Sequence, residues 1–210
     1  MKEMKKLLFA LLCLVLVQTV FISGSAVTEV KAATVKSGLK KEKGNYYYYV
    51  KGKKITNQWK TIKTTSKGKT TSYKYYFGKN GAAYMAPVPY DKSKYNVLVK
   101  KIGGKQYGFD QSAHLVGKGD YVTADFIFYS FTKAGVVDSA RTKAVRKAAK
   151  YKSDSTALRK LLGKPKKEKK IGQACMFLKG EIAYDLTYAS LTVGVCRLNG
   201  KEYVSGVYPR

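Results

Sequence analysis

The sequence is poor in the residues on which most enzyme chemistry rests. It has one histidine, His114, and three cysteines, Cys13, Cys175 and Cys196. That argues against a His-rich metal site. A cysteine nucleophile would need a positioned base, and His114 is the only candidate, with no motif linking it to Cys175 or Cys196. Acidic residues number 13, most of them beside turns or helix starts, where an Asp already serves as a cap. No carboxylate pair stands out for glycoside hydrolysis. The glycines of Ile102-Gly103-Gly104-Lys105 and Gly117-Lys118-Gly119 match neither a dinucleotide fingerprint nor a phosphate loop. Arginine is scarce, five among 41 basic residues. Its planar fork reads phosphates and guanine edges, so the shortage argues against a dedicated nucleic-acid reader. The sequence therefore predicts no catalytic residue, no metal ligand and no cofactor.

What the chain has in abundance is lysine and tyrosine. The formal net charge is +28 and there are 18 Tyr against 8 Phe and one Trp. Lysine is a solvated point charge suited to diffuse attraction toward a polyanion. Apolar residues make up 45% of the 210 positions, enough for a modest core. At the N-terminus, a basic start (Lys2, Lys5, Lys6) precedes an apolar run from Leu7 to Val17. Small residues follow at Gly24-Ser25-Ala26 and at Val30-Lys31-Ala32. This pattern reads as a signal peptide over 1–32, with a retained anchor as the alternative. It implies a secreted, surface-associated protein with no membrane span after cleavage. Residues 33–43 read as a basic linker.

A repeat follows over 44–137. Aromatic clusters run into small-residue turns at Tyr47-Tyr48-Tyr49-Val50-Lys51-Gly52, Tyr75-Tyr76-Phe77-Gly78-Lys79-Asn80-Gly81, Tyr107-Gly108-Phe109-Asp110 and Tyr129-Ser130-Phe131-Thr132-Lys133-Ala134-Gly135. Tyr48, Phe77, Phe109 and Phe131 serve as equivalent positions. Each segment reads as a β-hairpin, with Asn80-Gly81 as the clearest type I′ turn. A lone hairpin cannot stand in water, but stacked hairpins can cover one another's aromatic faces.

The run from Gly44 to Trp59, followed by Tyr75-Tyr76-Phe77-Gly78-Lys79-Asn80-Gly81, resembles the cell-wall-binding repeats, of choline-binding and glucan-binding type, of Gram-positive bacteria. The resemblance implies a hairpin solenoid that holds an exported protein to the envelope. It also implies an aromatic ligand face, placed here on Tyr47, Tyr49, Trp59, Tyr75, Tyr76 and Phe77. Gln58-Trp59 stands where the family has Gly-Trp. With one Trp, at most one cation-binding cage forms, around Trp59 with Tyr75 and Tyr76. The alternative is that these rings are hairpin core. Lys51, Lys53, Lys54 and Lys60, with a second cluster at Lys166, Lys167, Lys169 and Lys170, are the candidate polyanion contacts.

The last segment, 138–210, reads as a small α+β unit. Asp138-Ser139 caps a helix over Ala140 to Lys150, and a second runs from Thr156 to Leu162 before Gly163 and Pro165. Strands are expected at Ala174–Leu178, Ile182–Tyr188, Leu191–Leu198 and Tyr203–Tyr208. Leu161-Leu162-Gly163-Lys164-Pro165 and the Tyr-rich strands resemble helix-plus-sheet modules of the β-lactamase-inhibitor-like type. Cys175 and Cys196 form either a disulfide or two buried thiols. The expectation is a mainly β protein, stacked hairpin repeats followed by a small α+β domain of two helices and an antiparallel sheet. Its expected role is non-catalytic binding of cell-wall glycan or teichoic acid, with another protein as a partner for the C-terminal unit. The alternative is an adhesin or inhibitor that binds a protein or a polyanionic host glycan and uses the repeats as a tether.

Overall fold

A computed structural model describes residues 35–88, 92–173 and 179–210. The expected signal peptide, the strand at Ala174–Leu178 and Cys175 lie outside the described residues. Among the described residues the chain is mainly β, with two helices and several small antiparallel sheets. No described helix is long and apolar enough to cross a membrane.

Four hairpins come first. β1 (Gly38–Glu42), β2 (Asn45–Val50) and β3 (Lys53–Lys54) form a three-stranded sheet. β4 (Gln58–Ser66) pairs with β5 (Lys69–Phe77), β6 (Leu98–Ile102) with β7 (Lys105–Phe109), and β8 (Gly119–Val122) with β9 (Phe128–Phe131). β1 falls within the stretch read as a linker, because its residues pair along the whole tyrosine strand, Lys41 opposite Tyr46 and Gly38 opposite Tyr49.

The tight turns include the expected Lys51-Gly52 and Gly103-Gly104 but not the expected type I′ turn at Asn80-Gly81. Lys43-Gly44, Lys51-Gly52, Lys67-Gly68 and Gly103-Gly104 each place two successive residues at positive φ, as a two-residue type I′ turn requires. Asn80-Gly81 is a different device. Only Gly81 has positive φ, 77°, and Asn80 Oδ1 accepts from the Ala82 N–H at 3.0 Å. The loop closes with the Gly81 N–H on the Gly78 carbonyl. The same closure recurs from Ala113 to Asp110 and from Gly135 to Thr132.

These loops make the seam of the stack. After each one the chain returns as a single bridge, Phe77 to Ala83, Phe109 to Leu115 and Phe131 to Val137. The returning residue then donates its N–H to the preceding unit: Ala83 to Tyr46, Leu115 to Lys74 and Val137 to Gln106, at 2.7–2.9 Å. Each acceptor lies three residues before the last buried aromatic of its strand. The equivalent positions are thus Tyr49, Phe77, Phe109 and Phe131, all buried. Tyr48, expected in that series, is shifted by one residue.

In the C-terminal part both expected helices and three of the four expected strands are present among the described residues, together with one strand that was not expected. α1 (Ser139–Ala148) is capped by Asp138, which accepts from the Arg141 N–H at 3.0 Å. α2 (Thr156–Leu162) ends at Gly163 with φ 78°. β10 (Lys167–Gln173), β11 (Ile182–Thr187), β12 (Leu191–Leu198) and β13 (Lys201–Pro209) form one antiparallel sheet in chain order. The strand β10 carries the expected lysine cluster. It lies at the sheet edge, where charged side chains discourage further pairing.

Packing does not divide the chain at 137/138. Val122 and Phe128 of the fourth hairpin share a core with Val145, Leu158, Leu186, Val193, Val195 and Val204. Lys36–Arg210 form one compact unit.

Candidate functional site: an aromatic seam lined with lysines

Burial sorts the expected ligand face into two groups. Tyr49, Tyr75 and Phe77 are buried, with Phe77 at 0% exposure. The Tyr49 hydroxyl donates to the Glu42 carboxylate at 3.0 Å. Tyr75 and Phe77 pack between hairpins, against Tyr46 and Tyr48, whereas Tyr49 shares a face with Tyr47 and is covered by Glu42, Lys36 and Lys54. Tyr47, Trp59 and Tyr76 remain half-buried on the surface.

Trp59 is the hub of that surface. It stands opposite Tyr76 in the β4–β5 register, with the ring centroids 5.1 Å apart edge-to-face. Tyr107 approaches edge-on at 5.0 Å and Phe109 stacks at 5.9 Å, both from the next hairpin. Tyr84 stacks on Tyr76 at 5.3 Å. The expected partnership with Tyr75 does not form, because Tyr75 adjoins Tyr76 and faces the opposite side. Tyr84, Tyr107 and Phe109 were not expected at this face: they lie far along the chain from Trp59, and only stacking brings them to it.

The exposed faces of these rings already carry cations. Lys54 Nζ lies 3.6 Å from the Tyr47 ring centre, Lys60 is 4.9 Å from Tyr48, and Lys74 is 4.7 Å from Trp59. Lys41 covers Tyr46 at 5.2 Å, while Lys36, 5.3 Å from the buried Tyr49 ring, is paired with Glu42 at 2.7 Å. Within about 6 Å an ammonium is drawn to the ring quadrupole, by roughly 0.5–1 kcal/mol at exposed sites. Of the expected polyanion contacts, Lys54 and Lys60 therefore sit on platforms. Lys51 occupies a turn at φ 46° and Lys53 starts β3. Lys36, Lys41 and Lys74 were missed, since only the folded register shows which ring lies under which lysine.

The second basic cluster is not one patch. Lys167 and Lys169 pair opposite Thr187 and Asp185, while Glu168 between them belongs to the other face. There it takes Arg197 at 2.7 Å and Arg159 at 3.3 Å. Lys170 follows the same alternation away from Lys169, and Lys166 precedes the strand, donating its N–H to the Thr187 carbonyl at 2.7 Å. Cys196 is a free, buried thiol, its pKa pushed up by burial. His114 stacks on Tyr73 at 3.9 Å, and its Nε2 lies 2.9 Å from the Tyr75 hydroxyl. Burial pushes the Tyr75 phenol up to about 12, so that hydroxyl stays neutral.

No family profile and no curated protein matches the chain. Solved structures similar to this chain are found. One of them is the choline-binding domain of Spr1274 from Streptococcus pneumoniae. The similarity covers 50% of this chain and 98% of that domain, at 20% identity and a TM-score of 0.32.

Proposed function

We propose that the protein is a secreted, non-catalytic cell-wall-binding protein whose stacked hairpins hold an anionic wall polymer, teichoic acid above all. The observation that carries this reading is the row of lysines lying over tyrosine and tryptophan faces. A lysine held on a ring has less side-chain freedom left to lose when it meets a phosphate. Together with a net charge of +28, this suits a repeating polyanion better than a single small ligand. Choline is a weaker fit, since Lys74 holds the Trp59 face that a trimethylammonium group would need. The C-terminal sheet and helices form an accessory module for a protein partner.

Sedimentation of the exported chain with Gram-positive walls, native or stripped of teichoic acid, tests the reading. Retention on native walls should fall steeply with salt, as for any contact that releases counterions from phosphates. It should also be lost on stripping, and free choline should not elute the protein. Salt-independent retention on stripped walls would overturn the polyanion mechanism. Absence of binding to either wall would overturn wall attachment altogether.

A further inference from the structure

Two adjoining clefts lie outside the lysine-covered seam. The first, about 310 Å³, is lined by Tyr73, Lys94, Tyr95, Asp110, His114 and Tyr121 among others. The second, about 330 Å³, includes Tyr95, Lys118, Asp120, Tyr121, Tyr188 and Ser190. They share Tyr95 and Tyr121, so together they make one groove from the second hairpin to the C-terminal sheet. Each is at the lower end of the size range of small-ligand sites.

The walls are held firmly. The Lys94 and Tyr95 N–H groups donate to the backbone oxygen of Arg210 at 2.7 and 2.8 Å. Buried Asn96 donates to the Pro87 carbonyl at 2.8 Å and accepts from Gln111. This fixes the backbone that carries Tyr95, a residue 43% exposed whose ring has the Arg210 guanidinium 5.6 Å from its centre. His114 is clamped between Tyr73, Tyr75 and Asp110, the last at 3.4 Å. Asp110 Oδ1 accepts the N–H groups of Ser112 and His114, both at 2.8 Å.

The charge balance of the groove is positive. The Asp120 carboxylate is held by Arg141, with 2.6 Å between Oδ2 and the guanidinium, and also accepts from the Ser130 hydroxyl. Lys94 and Lys118 are exposed, one in each cleft, and no ion pair is seen for either among the described residues. A groove with aromatic rings, fixed polar groups and one free ammonium per half has the chemistry of a carbohydrate site. The apolar face of a pyranose lies on a tyrosine ring, its hydroxyls meet the polar groups, and an acidic substituent meets the lysine.

We propose that this groove binds a short acidic glycan, two sugar units with at least one carboxylate, at a site separate from the polymer-binding seam. The proposal deepens the wall-binding reading and rests on it for the source of the glycan. Its test does not depend on wall retention. The exported chain is titrated calorimetrically with the disaccharide of N-acetylglucosamine and N-acetylmuramic acid, and in parallel with neutral chitobiose. The acidic disaccharide should bind at least tenfold more tightly than chitobiose. Tyr95→Ala, and separately Lys94→Gln with Lys118→Gln, should each weaken it tenfold or more, with the circular dichroism spectrum unchanged. Lys54→Gln with Lys60→Gln should reduce retention on native walls and leave the disaccharide affinity unchanged. Failure of the wall assay alone would thus count against the seam and not the groove. No disaccharide binding at millimolar concentration, equal binding of chitobiose, or full affinity in both groove variants would overturn the proposal.

Discussion

Gly135 shows how much one position can carry in this stack. Its φ is 72°, and a Cβ there would sit 2.6 Å from the Leu115 side chain and from the Val116 carbonyl oxygen. Gly103 also has positive φ, 53°, but a Cβ would meet nothing within 4 Å. Gly103→Ala should therefore cost only backbone strain, about 1 kcal/mol. Gly135→Ala adds a clash with backbone that cannot rotate away and should cost about 3 kcal/mol or more. Urea denaturation of the two variants measures the difference, and equal costs would contradict the seam geometry. Ala113, at the equivalent point of the third loop, already carries that Cβ at φ 64°. At this scale the sequence was least legible in Tyr46-Tyr47-Tyr48-Tyr49. A one-residue slip turns every side chain to the other face, and four identical residues offer no pattern to choose between slips. Tyr75 and Phe77 went from the expected ligand face to the core for a related reason: alternation along their strand was certain, but its phase was not.

Among the elements, α1, α2 and β11 to β13 were legible because their ends are marked by residues with specific backbone preferences: Asp138, Gly163 and Asn199-Gly200. Of the Lys-Gly turns, Lys51-Gly52 was legible after its aromatic cluster, but Lys43-Gly44 and Lys67-Gly68 were not, since lysine has no intrinsic liking for positive φ. β10 was hidden because its lysines read as a charge run, although one of its residues anchors the module. Glu168 joins Arg159, Arg197 and Glu202 in a chain of ion pairs across α2, β10, β12 and β13. Burial alone would raise the Glu202 carboxyl, but hydrogen bonds from Arg159, Ser155 and Arg197 outweigh it and hold the pKa down to about 2. With an ordinary value of 4.5, its stabilisation is fully present above that pH and is lost as pH falls toward 2. The stability at stake is roughly 3 kcal/mol. Chemical denaturation across this window should show that loss, and Glu202→Gln should remove this component of the acid dependence. An unchanged acid limb in the variant would mean the network does not anchor the sheet.

Over the whole molecule, two modules were expected and the core joins them. The fourth hairpin accepts the stack on one side, through the Val137 N–H on Gln106, and gives Val122 and Phe128 to the C-terminal core on the other. A boundary placed by composition could not register this, because shared packing leaves no mark in local sequence. Unfolding followed by Trp59 fluorescence in the stack and by far-ultraviolet circular dichroism should give one coincident midpoint. Two separate midpoints would mean the hairpin is a hinge. The mirror-image turns have a further consequence for persistence. A chain this rich in lysine offers many cutting points to trypsin-like proteases, which need an extended backbone at the bond they cleave. Lys43, Lys51 and Lys67 have φ of 46–48° in two-residue turns, a conformation no such protease can seat. Cutting there has to wait for the hairpin to open, so its rate follows the opening equilibrium, and the stacking that forms the aromatic seam also shields its tips from digestion.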